Sequence, residues 1–138
     1  MLDRYIALVA NNNRAKAYLQ ALCSQGHAPA AAVYLETHGR RPENHAHDRL
    51  AAGTKQRFLI SSSKIPGAQF DEKEHVLSTL EKHGVPCTTL PTSDLNHPSV
   101  AQALARLEGA YVLMAGPGGQ ILRQDLLGIG KHFIHVHP

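Results

Sequence analysis

Apolar and polar positions alternate along the chain in two rhythms, one of short solid runs and one of helical stripes. "YIALVA" (5–10) is a nearly continuous apolar run, the pattern of a strand covered on both faces. "NNN" follows it, and asparagine is a favoured helix N-cap. Ala15, Tyr18, Leu19 and Leu22 then recur at helical spacing, and Gly26 ends the stripe. "APAAAVYL" (28–35) predicts a second strand. A strand–helix–strand opening of this kind predicts parallel pairing through a right-handed crossover.

The rhythm breaks at "ETHGRRPENHAHDRLAAGTKQ" (36–56), which is polar and without a period. It predicts a long exposed loop, with one helical turn near Asp48–Ala52. "RFLIS" (57–61) predicts a short strand or edge segment. The alternation then resumes. Asp71 with Glu74 resembles a capping box ahead of the stripe Val76, Leu77, Leu80, and Gly84 ends it. "PCTTL" (86–90) predicts a strand. Pro98 suits the first turn of a helix carrying Val100, Leu104 and Leu107 on one face, with Gly109 after it. "AYVLMA" (110–115) predicts a buried strand, "GPGG" a turn, "QILRQDLLGIG" a short helix and "HFIHVH" a last strand. The fold class expected is α/β: a Rossmann-like, mainly parallel sheet with helices on both faces.

Length agrees with one domain over 1–138, large enough to bury a core. The formal charge of +3 is scattered, and Arg40-Arg41 is the only adjacent basic pair, so no nucleic-acid stripe is expected. A mild basic bias suits an anionic small molecule or tRNA. Cys23 and Cys87 lack metal or disulfide-framework spacing and are expected to be reduced and buried. The apolar run in "MLDRYIALVANNN" is too short for a signal peptide or a bilayer span, so no membrane association and a cytoplasmic setting are expected.

Two motifs carry candidate chemistry. "GPGG" (116–119) lies between a strand and a helix, where backbone N–H groups can meet a ligand, although a tight turn alone would explain it. It matches neither a P-loop nor G-x-G-x-x-G, and "NNN" stands where a dinucleotide fold carries its glycines. "HVH" places His135 and His137 two apart, hence on one face of a strand. Such a pair suits acid/base work or zinc. With His45 and His47 as a second H-x-H pair, a metal-dependent hydrolase is one alternative, but those two lie in the polar loop, and no metal site is expected. Histidines 27, 38, 75, 83, 97 and 132 fall at helix ends or in loops and receive no role.

From Ala110 to Pro138 the order is buried strand, small-residue turn, "ILRQDLL", a Gly-containing turn and "FIHVHP". This resembles the formyltransferase family, which includes the methionyl-tRNA, glycinamide ribonucleotide and sugar-amine enzymes. There a strand ending N-x-H-P follows a segment of the same layout. "YIALVANNNRAKAYLQALCSQGHAPAAAVYLE" is similar to the family's opening strand, helix and strand, and "LEKHGVPCTTLPTSDLNHPSVAQALARLEGAYVLMAG" to its middle.

The resemblance implies transfer of a formyl group from 10-formyltetrahydrofolate to an amine. His137 falls on the family's motif histidine, and His135 stands where the family has asparagine. Ile121, Leu122 and Leu127 fall where the family lines its pterin pocket, with Gly118 and Gly119 allowing close backbone approach. The acceptor expected is a small-molecule amine (sugar, amino acid or nucleotide), with tRNA a weaker candidate. The family also orients its histidine with an aspartate some tens of residues downstream, and Asp125 is on the wrong element to replace it. The expectation is therefore the N-terminal, folate-binding part of such a domain, truncated, with little activity by itself. The sequence does not fix the oligomeric state, although a face where the remainder would dock could drive association into a homo-oligomer. A non-catalytic folate- or nucleotide-binding module is the other alternative.

Overall fold

The computed structural model describes residues 4–37 and 70–136. All of the expected loop but residues 36 and 37, its helical turn and "RFLIS" fall between them and lie outside the described residues, as do His45 and His47. Five strands form one parallel sheet: β1 (Tyr5–Val9), β2 (Ala31–Leu35), β3 (Cys87–Leu90), β4 (Tyr111–Ala115) and β5 (His132–Ile134), in the order β3-β2-β1-β4-β5. The helices between them are α1 (Asn13–Ser24), α2 (Val76–Lys82), α3 (Pro98–Ala105) and α4 (Gln124–Leu127). The α/β, Rossmann-like reading of the sequence agrees with this arrangement.

Strand alternation explains why the solid apolar runs were needed. On β1, Ile6 and Leu8 point to one face and Ala7 and Val9 to the other, and all four are buried. The first face is closed by Leu95, by Val100 and Leu104 of α3, and by Leu126 of α4. The second is closed by Ala15 and Leu19 of α1 and by Val76 and Leu80 of α2. Helices α1 and α2 thus cover one face, and α3 and α4 the other.

This arrangement puts a switch of direction at the centre of the sheet. From β1 the chain winds outward through β2 to β3, then returns to β4 on the other side of β1. The connections leaving β1 and β4 therefore depart to opposite faces, which makes the carboxyl ends of these two strands the switch point where open α/β sheets form their ligand crevice.

Several element boundaries differ from the sequence reading. Helix α2 starts at Val76, not after Asp71, and its N-cap is His75, whose Nδ1 accepts from the Leu77 N–H at 3.1 Å. Asp71 instead closes a local turn onto the Lys73 N–H, and Glu74 accepts from the hydroxyl of buried Thr79 at 2.9 Å. Helix α4 is a single turn, because the glycines of "GIG" follow it directly. Strand β5 stops at Ile134, so His135 lies beyond the ladder rather than on a strand face. Cys23 is buried, as expected, but Cys87 is exposed on β3, an edge strand.

Candidate functional site

The crevice is built by the segments that follow β1, β4 and β5. After β1 the sequence has asparagines because two carboxamides are used as connectors. Asn12 is the N-cap of α1, accepting from the Ala15 N–H at 2.8 Å through Oδ1. Its Nδ2 donates to the carbonyls of Ala115 and Gly116 at 3.3 and 3.2 Å. One side chain therefore caps the helix and ties it across the crevice to the end of β4. Asn11 reaches the other way, accepting from the Val76 N–H at the start of α2 at 3.2 Å.

The "GPGG" turn leaves the end of β4. A Cβ on Gly116 would come within 3.0 Å of a Leu95 methyl, so that glycine serves packing. Gly119 has φ +76°, a left-handed conformation that glycine adopts without strain. A Cβ on Gly118 or Gly119 would meet nothing within 4 Å. Both glycines thus border open space, the condition for backbone approach to a ligand.

The next segment is held by two residues that sequence reasoning passed over. Gln120 accepts from the Leu95 N–H at 2.8 Å and donates to the Ser93 carbonyl at 2.7 Å. Asn96 donates to the Ile121 carbonyl and accepts from the Arg123 N–H, both at 2.8 Å. Each carboxamide pairs with backbone on both of its ends, as a neighbouring strand would. "DLNHP", a polar stretch just ahead of a helix, was the available signal, but nothing in its pattern pointed to residues 121–123.

Fixed in this way, the three predicted pterin-pocket aliphatics have different fates. Leu122 packs against the core under α3 and α4. Ile121 is 87% exposed and Leu127 is 43% exposed. The core reading suits Leu122; the other two present apolar surface to solvent.

His135 arrives from β5. The register Leu113↔Ile134 carries it to the carboxyl rim beside the end of β4. There its Nε2 lies 3.1 Å from an Arg14 Nη on α1. The Tyr18 hydroxyl, one helical turn on from Arg14, donates to the Val136 carbonyl at 3.2 Å. His135 is therefore engaged by a helix of one face, while Ile121, Leu122 and Leu127 belong to the segment that packs on the other. His137, the expected motif histidine, lies outside the described residues.

Among the described residues, no three His, Cys, Asp or Glu side chains gather as a metal site would require. No described helix is long and apolar enough to cross a membrane. Burial raises the titration of Cys23, and partial desolvation of the thiol raises that of Cys87 even though the residue is exposed. At Cys23 the Glu74 carboxylate adds to the effect, and at Cys87 a hydrogen bond with the Tyr34 backbone opposes it. Neither is an activated nucleophile of the low-pKa kind. No protein-family model matches the chain, and no curated protein matches it.

Proposed function

We propose that this chain binds 10-formyltetrahydrofolate across the carboxyl rim of its sheet and takes part in transfer of the formyl group to a small-molecule amine. The observation that carries the reading is the placement of His135. β5 lies parallel beside β4 and delivers that imidazole to the rim where the β1/β4 crevice opens. In open α/β sheets, ligands bind outside the carboxyl ends of the strands at such a switch. The exposed side chains of Ile121 and Leu127 supply apolar surface for a flat ring, and Gly118 and Gly119, in the turn just ahead of Ile121, border open space.

The chemistry asks for little. The amine attacks the formyl carbon, and a tetrahedral oxyanion forms. The bond from that carbon to the folate nitrogen then breaks. One proton leaves the amine and one reaches the departing nitrogen. A neutral imidazole can donate to the oxyanion, and a second can relay the proton. We assign proton transfer and the main oxyanion contact to His137, with His135 as a second donor. Sugar amines, amino acids and aminonucleotides are the acceptor classes.

The test is incubation of the protein with 10-formyltetrahydrofolate and representatives of the three acceptor classes. Free tetrahydrofolate and formylated amine are the readouts. Folate binding with amine-dependent transfer that is lost in His137→Ala and weakened in His135→Ala supports the proposal. Saturable folate binding without transfer would move the reading to a non-catalytic folate-binding module. A folded protein that binds no folate refutes both.

A further inference from the structure

Arginine is protonated at any pH a folded protein meets, and its nitrogens only donate. The 3.1 Å contact between Arg14 Nη and His135 Nε2 is thus a hydrogen bond in one direction, with the imidazole accepting. A neutral imidazole that accepts through Nε2 carries its hydrogen on Nδ1. We propose that Arg14 is a positioning residue that fixes His135 as the Nδ1–H tautomer.

The surroundings make this an arrangement of the fold rather than a chance meeting of two long side chains. Arg14 sits in the first turn of α1, two residues after the Asn12 cap. Asn12 locks that turn to the end of β4, and β4 holds β5 in register. The Tyr18 hydroxyl then pins the Val136 carbonyl to the same helix face one turn further on. Residues 135 and 136 are therefore docked on α1 by two donors spaced i, i+4, and the ring cannot turn over without giving up the guanidinium.

What the tautomer is for rests on the formyl-transfer reading above; the tautomer itself does not. In that reading a neutral donor is wanted at position 135, where the resembled family has a carboxamide. An imidazole is an ambiguous substitute, because either nitrogen can carry the hydrogen. Arg14 removes the ambiguity by placing the ring's hydrogen on Nδ1.

The experiment is a long-range proton–nitrogen correlation spectrum of the 15N-labelled protein, taken at an alkaline pH where imidazoles are neutral. The expected result is His135 with a protonated Nδ1 and an unprotonated Nε2. In Arg14→Met, the share of the Nδ1–H form should fall and that of the Nε2–H form should rise. Arg14→Lys, which keeps a donor, should restore the Nδ1–H form, and unchanged backbone amide shifts in α1 would show that the helix is intact. An Nε2–H ring in the wild-type protein overturns the proposal, and so does an Nδ1–H ring that persists in Arg14→Met. Loss of the transfer activity assay with the spectra as expected would refute the proposed function and leave this inference standing.

Discussion

Asn12 carries more of the crevice than any other single side chain, and replacing it separates its two jobs. In Asn12→Ala the α1 cap at 2.8 Å is lost together with two bonds to the Ala115 and Gly116 carbonyls at 3.3 and 3.2 Å. Loss of an N-cap costs about 1 kcal/mol. Two rather long, partly buried amide–carbonyl bonds add about 0.5–1 kcal/mol each. The sum is about 2–3 kcal/mol, a fall in melting temperature of roughly 5–10 °C for a domain of this size. Asn12→Ser keeps the cap and loses only the ties to β4, so about half of that loss is expected. Asn12→Asp is the sharper variant. Its carboxylate caps well and suits the helix dipole, yet it faces two carbonyl oxygens with no hydrogen to offer. The expected order is wild type, then Ser, then Asp and Ala together. Urea unfolding followed by circular dichroism measures it. An Asp variant as stable as wild type would show that the ties to β4 contribute nothing, and the account of the crevice would be wrong.

Other consequences are as direct. Asn96→Ala frees the Ile121 carbonyl and the Arg123 N–H, so folate affinity should fall about fivefold per kcal/mol of lost order, with about 1 kcal/mol expected; calorimetric titration measures it, and an unchanged affinity counts against the aliphatic rim as the binding surface. His75→Ala should cost about 1 kcal/mol by uncapping α2, and His75→Asn should recover most of it, as judged from paired urea curves. Burial, with a smaller contribution from Cys23, pushes the Tyr5 phenol up to about 12, and its hydroxyl donates to the His27 carbonyl at 2.7 Å. Because the folded value lies above the unfolded one, this contribution is whole below about pH 10 and is lost as pH rises through about 12. Tyrosinate absorbance in the folded protein should therefore show a late step that Tyr5→Phe removes. A thiol reagent should modify exposed Cys87 in the native state, slowly because its thiol is raised, and buried Cys23 only on unfolding; mass mapping of the adducts distinguishes the order.

The sheet was legible because its strands are central. Tyr5–Val9, Ala31–Leu35 and Tyr111–Ala115 are covered on both faces, and such strands must be solid apolar runs. The cap at Asn12 was legible too, since "NNN" ahead of an apolar stripe has few other uses. The start of α2 was not. Asp71 and Glu74 fit a capping box in spacing, but Glu74 is drawn to the buried Thr79 hydroxyl, and a histidine caps instead. Nor was the way His135 is held. Period-two alternation applies only while the ladder lasts, and β5 ends at Ile134, so the next side chain is placed by Arg14 on α1. That contact spans more than a hundred residues and leaves no trace in local pattern. The bonds from Gln120 and Asn96 are long-range in the same sense.

The central claim is that a reduced folate lies across the rim between the Ile121–Leu127 segment and His135. Backbone amide mapping by NMR during titration with 10-formyltetrahydrofolate tests it most directly. Saturable shifts should concentrate at Gly118, Gly119, Ile121, Leu122 and His135, and spare the opposite, amino-terminal edge of the sheet. Shifts concentrated on that other edge, or none at ligand concentrations of about a millimolar, where even a very weak site of about −4 kcal/mol is half filled, would contradict it.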